Sequence, residues 1–232
     1  MVINMNIKDN LKSVNERISA AAAECGRKVS DIKLIAVTKT HPVEMINEAI
    51  ELGITDIGEN KPQEIRDKYD RVLPVKWHLI GHLQTNKVKY VIDRCSMIHS
   101  VDSIKLMDEI ERLAMLHDKD MDILIEVNMS GEESKSGINP EEIDKIFSHA
   151  GELKRTHVKG IMTIAPLDKE PDECFKATKK MFDEAAKKNY KNVSMKELSM
   201  GMSGDYETAI KYGATMVRVG SAIFGARNYN LG

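Results

Sequence analysis

Apolar positions along this chain follow two alternating rhythms. Runs such as IKLIAVTK (32–39), MDILIEVNM (121–129) and VKGIMTIAP (158–166) have the length and β-branched content of buried strands. Between such runs, segments like VEMINEAIELG (43–53) and DECFKATKKMFDEAAKKN (172–189) space their apolar residues three and four apart, which is one face of a helix. The pattern predicts strands over 32–39, 55–60, 75–81, 96–101, 121–129, 158–166, 196–201 and 215–225. It predicts helices over about 6–25, 43–53, 61–72, a short one around NKVKYVID (86–93), one capped by Asp102 or Ser103 and running to His117, then 140–153, 172–189 and 205–213. Gly53 closes one helix and Pro62 sits in the first turn of the next.

Strand and helix thus alternate about eight times after an extra N-terminal helix, which implies a parallel sheet covered by helices. Eight units close into a (β/α)8 barrel, the TIM barrel. The rival is an open doubly wound sheet, which commonly carries a Gly-rich turn after its first strand. Here that strand ends in Lys39 and no G-x-G-x-x-G follows. No Pro/Gly/Ser-rich linker breaks the rhythm, so residues 1–232 read as a single domain.

Composition narrows the function classes. The 232 residues carry a net charge of −2, with 42% hydrophobic and 30% charged residues. That balance argues against a nucleic-acid binder, and no apolar run is long enough to span a membrane. The N-terminus MVINMNIKDN lacks the apolar core of a signal peptide. Cys25, Cys95 and Cys174 are odd in number and widely spaced, the pattern of a reduced, cytoplasmic chain. No spacing of His, Cys and carboxylates suggests a metal. His78 and His82 are four apart, but on a predicted strand and its end rather than on a helix.

In such barrels the working face lies at the C-terminal ends of the strands. Those ends carry Lys39, Glu59-Asn60, Gly81-His82, Glu126-Val127-Asn128, Met162-Thr163, Ser199-Met200-Gly201 and Arg218-Val219-Gly220-Ser221. The small-residue loops SMGMSG (199–204) and Gly220-Ser221 offer backbone N–H groups and hydroxyls without bulk. The last two loops of a barrel often bind phosphate, with a helix N-terminus near Asp205 aimed at the anion. Tight turns, where Gly and Ser are common, are the plain alternative.

Side chains two apart share a face of a strand. Ile35, Val37 and Lys39 therefore share one face of the first strand, and Met216 and Arg218 one face of the last, its neighbour in a closed barrel. If both faces look inward, two cations meet in the mouth, where an anionic ligand offsets their repulsion. Such proximity favours the neutral, nucleophilic amine of Lys39 over a merely snorkelling lysine. A lysine, an arginine and a Ser/Gly cradle together fit a phosphorylated aldehyde held as a Schiff base, with pyridoxal phosphate (PLP) the obvious candidate. A phosphate-binding barrel enzyme that uses Lys39 as an aldolase does, without PLP, is a remoter reading.

AVTK (36–39), GEN (58–60), WHLIGHLQTNK (77–87), SGEESKSG (130–137), GIMTIAP (160–166), LSMGMSGD (198–205) and VRVGSAIFGAR (217–227) resemble the pyridoxal phosphate homeostasis protein family. These are single-domain proteins similar to the N-terminal barrel of alanine racemase, the type III PLP fold. The resemblance implies that Lys39 forms the Schiff base and that Ser199, Ser203, Gly220 and Ser221 form the phosphate cup. It implies that Arg218 faces the pyridine nitrogen, that Asn60 and Met162 flank the ring and that His82 lies near the mouth. It implies a cytoplasmic, non-enzymatic PLP carrier and regulator of vitamin B6 and amino-acid balance. The expected partners are small amino acids and PLP-requiring apoenzymes. The chain ends soon after strand eight, without the second domain that gives the racemase a catalytic tyrosine and a dimer contact, so a monomer is expected. The alternative is a PLP-dependent amino-acid racemase with an unusual second base. The polar loop over 130–137 is a candidate lid.

Overall fold

Eight parallel strands close on themselves in chain order: β1 (Lys33–Val37), β2 (Asp56–Glu59), β3 (Lys76–Leu79), β4 (Cys95–Val101), β5 (Met121–Glu126), β6 (Thr156–Met162), β7 (Val193–Ser199) and β8 (Met216–Val219). This is the expected (β/α)8 barrel, seen in a computed structural model that describes residues 6–129, 131, 136–166 and 170–225. The helices are α1 (Ile7–Glu24), α2 (Val43–Glu51), α3 (Pro62–Lys68), α4 (Ile104–Leu116), α5 (Ile143–Ala150), α6 (Asp172–Lys187), α7 (Tyr206–Lys211) and α8 (Ser221–Phe224). A short 3-10 segment, Thr85–Tyr90, stands where a helix was expected between β3 and β4. None of the described helices is long and apolar enough to cross a membrane.

Local signals explain the helix starts. The Asn6 side chain accepts the Asp9 N–H at 2.9 Å and caps α1. Of the two candidates for α4, Ser103 is the cap, accepting the Leu106 N–H at 3.3 Å. Pro42 and Pro62 set the entries of α2 and α3. The N-terminal helix completes the outer ring. α8 has only four residues, and α1 packs against α7, α8 and α2, across the seam where β8 meets β1. Its Asn10 side-chain amide donates to the Ile223 carbonyl at 2.8 Å.

Two apolar layers result. One lies between sheet and helices. The other lies inside the barrel and consists of Ile35, Met97, Leu124, Met162 and Met216. Ile35 lies in register with Arg218, so the strand faces deduced from alternation are the inward ones. Burying each such side chain contributes about 1.5–3 kcal/mol.

Some boundaries differ from expectation. β5 stops at Glu126, after which Val127 makes a single bridge to Ile138. β6 ends at Met162 and β7 occupies 193–199 rather than 196–201. The last strand was expected to reach 225. It ends at Val219, and Ser221–Phe224 turns into α8. A short apolar run such as Ala222-Ile223-Phe224 carries no period that separates strand from helix. The candidate lid over 130–137 falls mostly outside the described residues, as do Ala226 and Arg227.

Candidate functional site

The C-terminal ends of the strands surround a cavity of about 460 Å³. Val37, Lys39 and His41 line it from β1 and the following turn, Asn60 from β2, and Ile80, Gly81 and His82 from β3. Glu126 comes from β5 and Ile164 from the segment after β6. Met202, Ser203 and Gly204 come from the loop after β7, and Arg218, Gly220 and Ser221 from β8 and the start of α8. Seven of the nine residues expected at the site are thereby brought together: Lys39, Asn60, His82, Ser203, Arg218, Gly220 and Ser221. Met162 and Ser199 are not among the lining residues. Met162 belongs to the interior apolar layer, and the Ser199 hydroxyl is fully buried under Arg218.

The turn that carries Lys39 is pinned on both sides. Thr38 is fully buried and donates its hydroxyl to Glu59 Oε1 at 2.8 Å. The Thr40 N–H donates to Glu64 Oε2 at 2.8 Å. Lys68, from the last turn of α3, ties these carboxylates together, donating to Glu59 Oε1 and Glu64 Oε2 at 2.8 Å each and to the Thr38 carbonyl at 3.2 Å. Two carboxylates thus share one ammonium. Burial pushes Glu59 up to about 7 against the pull of Lys68. Burial acts the same way on Glu64, but the Lys68 and Thr40 hydrogen bonds outweigh it and hold that carboxyl low. Thr40 itself has φ of +66°, a left-handed conformation costly for a β-branched residue. The lattice around Glu59, Glu64 and Lys68 holds that strained turn beside Lys39.

Arg218 is 3% exposed and lies in the cavity floor. Its Nη1 donates to Ser199 Oγ at 2.6 Å and its Nη2 to the Thr163 carbonyl at 2.9 Å, which fixes the guanidinium plane. Burial pulls it down to about 10 against the attraction of Glu126 and Asp205, so it stays cationic at neutral pH. Glu126 is a lining residue that the sequence placed at a strand end without a role. It is 5% exposed and its Oε2 has no hydrogen-bond partner among the described residues. Burial, then the charge of Asp102, push it up to about 7 against Arg218. At the rim, His82 Nδ1 lies 3.3 Å from Asp102 Oδ2. His78, four residues earlier, lies in the barrel interior between Asp56 and His99, so the two histidines belong to different layers.

The donor set opposite suits a phosphate. The N–H groups of Gly220 and Ala222 converge on one oxygen, Ser203 Oγ, at 3.1 and 3.4 Å. The carboxylate of Asp205 is turned away to accept the Met202 N–H at 2.5 Å, which shapes the loop. A Cβ on Gly220 would lie 3.2 Å from Val37 Cβ, a tight contact where β8 passes close to β1 at the rim. Amides, hydroxyls and nearby cations are the chemistry that holds a phosphate monoester.

Comparison with known proteins agrees with this geometry. The sequence matches the alanine racemase N-terminal domain family over residues 7–228. A pyridoxal phosphate homeostasis protein of Aquifex aeolicus is 42% identical over 97% of this chain and 100% of its own. The chain belongs to that family. An unknown protein from Bifidobacterium adolescentis, 37% identical, superposes with a TM-score of 0.89 over 94% of both chains. PipY of Synechococcus elongatus PCC7942 with PLP bound is 30% identical, with a TM-score of 0.78 over 91% of this chain and all of that one. The fold of this family therefore coincides with the barrel derived above.

Proposed function

We propose that this protein binds PLP in the mouth of the barrel, holds it as a Schiff base on Lys39 and serves intracellular vitamin B6 and amino-acid homeostasis without robust catalysis. The observation that carries this reading is one cavity lined at once by Lys39, Arg218 and the amide and hydroxyl cradle of Ser203, Gly220 and Ser221. The family relatives, and the PipY structure that contains PLP, support it. PLP supplies an aldehyde that forms an imine with an amine, and a ring that withdraws electrons. Ser203, Ser221 and the amides beside them would hold the phosphate, Asn60 would flank the ring, and His82 would guard the rim. Ser199 would support Arg218 from below rather than touch the phosphate.

Arg218 decides how far chemistry goes. A guanidinium donates hydrogen bonds but does not readily give up a proton. At a ring nitrogen it leaves the ring a weaker electron sink than a carboxylate partner would, so holding and releasing the cofactor is favoured over turnover. The second reading, an amino-acid racemase, gains one observation: Glu126 lines the cavity, has an oxygen without a partner among the described residues and is pushed up to about 7, in the range of a general base. The proposed partners are small amino acids and PLP-requiring apoenzymes. The proposed state is a monomer, and an odd number of widely spaced cysteines supports a reducing compartment.

Purified protein with added PLP should show the visible absorption of a lysine imine, and Lys39→Ala should remove it. A wild-type protein that takes up no PLP overturns the proposal. Deuterium exchange at Cα of a panel of amino acids separates the readings. Slow, unselective exchange fits a carrier, whereas fast exchange with one amino acid makes it a racemase.

A further inference from the structure

Beneath Arg218 a chain of buried polar side chains crosses the barrel interior. Ser199 Oγ on β7 lies 3.0 Å from His99 Nδ1 on β4. His99 Nε2 lies 3.0 Å from His78 Nδ1 on β3. His78 Nε2 lies 2.9 Å from Asp56 Oδ1 on β2. Every member is at least 97% buried. At the far end Thr55 donates its hydroxyl to Asp56 Oδ2 at 2.7 Å, and Lys33 Nζ stands 4.0 Å from Oδ1. An apolar barrel layer would fill the same space, so these groups have a cost that satisfied hydrogen bonds only offset.

The donor inventory gives the chain one direction. Arginine only donates, so Ser199 Oγ accepts from Nη1. At the other end Asp56 as a carboxylate only accepts, so two neutral imidazoles in line leave His99 Nδ1 bare to take the serine hydrogen. A neutral His99 carries its hydrogen on Nε2 and donates to His78 Nδ1. His78 in turn donates from Nε2 to Asp56, which only accepts as a carboxylate. Each link then has one donor and one acceptor. A second proton on His78 would set two N–H groups face to face, or force His99 to reverse and leave the serine hydrogen without an acceptor. Burial also disfavours a charge on either imidazole, at His78 against the pull of Asp56, and the nearby cations Lys33, Lys76 and Arg218 add to this.

We propose that Asp56, His78, His99 and Ser199 form a one-way hydrogen-bond relay whose carboxylate end fixes both imidazoles as Nε2–H tautomers and so sets the guanidinium of Arg218 at the cavity floor. They are positioning residues for the cofactor ring, and this rests on the PLP reading of the site. Ordinary structural filling predicts only a loss of stability when they are changed. The relay predicts a change at the cofactor, four side chains away.

Long-range ¹H–¹⁵N NMR of the full chain without cofactor should show both histidines as Nε2–H tautomers that do not titrate through the usual histidine range. A charged or Nδ1–H imidazole at either position overturns the relay. In Asp56→Asn the amide can donate or accept, so direction is no longer imposed. That variant should show mixed tautomers at His78 and His99. It should bind PLP about tenfold more weakly, the lower end of what outer hydrogen-bond partners contribute at metal sites, with a shifted visible band. Ser199→Ala, which cuts only the last link, should reproduce the weaker binding and the shifted band if Asp56→Asn does not fold. Unchanged affinity and spectrum in the folded variants overturn the proposal. If the wild type itself binds no PLP, the functional reading fails separately, and the wild-type tautomers alone decide the relay.

Discussion

Glu126→Gln isolates the electrostatic cost of the cavity. The Glu126 carboxyl is 5% exposed, its Oε2 has no partner among the described residues, and it is pushed up to about 7 from the ordinary 4.5. A group raised in the folded state holds its proton there longer than in the unfolded chain. Between about 4.5 and about 7 the native state therefore binds more protons, and stability falls as pH rises through that window. The step from 4.5 to about 7 corresponds to about 3 kcal/mol at ~1.4 kcal/mol per pKa unit. Glutamine keeps the shape and cannot ionise. Urea unfolding of the cofactor-free wild type and variant at matched pH values reads the difference, because contributions from Glu59 and all other groups are common to both. Relative to wild type, the variant should gain about 3 kcal/mol between the acid and the alkaline side of the window. Parallel stability curves, or a gain in the opposite direction, refute the argument that Glu126 is buried against its own charge.

The strain and packing arguments make two further predictions. Thr40→Gly removes the Cβ penalty at φ +66° and should raise stability by about 1 kcal/mol in thermal or chemical unfolding. The same change loosens the turn beside Lys39, so PLP should dissociate faster from that variant in a stopped-flow chase. Ile35→Ala opens a hole in the barrel interior beside Met97, Leu124, Met162 and Met216 and should cost about 2–5 kcal/mol in denaturant unfolding.

Much of the cavity lining was readable because strand ends in a barrel converge by construction. Lys39, Asn60, His82, Arg218 and the Ser203 and Gly220-Ser221 turns follow from counting strands and reading their last residues. Two assignments moved a layer down. Ser199 and Met162 end their strands like the others, but strand-end position does not say how deep the side chain lies, and both are fully buried beneath the cavity. Glu126 stood at a strand end without a role because its significance comes from burial and a missing partner, neither of which has a sequence signal. His78 and His82 share a strand face by parity, and their difference in depth, one in the interior and the other at the rim, is set by where β3 ends.

By itself the sequence determined the alternation of elements, which residues of β1 and β8 share a face, and that a lysine, an arginine and a Ser/Gly cradle all stand at strand ends. These depend on period and order, which are local properties. Only the tertiary structure decided what Arg218 rests on. Asp56, His78, His99 and Ser199 come from four strands, two of them on opposite sides of the interior, and become one hydrogen-bonded line only when the barrel closes. Likewise Lys68 and Glu64 reach the Lys39 turn because α3 packs beside it. Such partners are set by closure and packing, and no spacing along the chain records them.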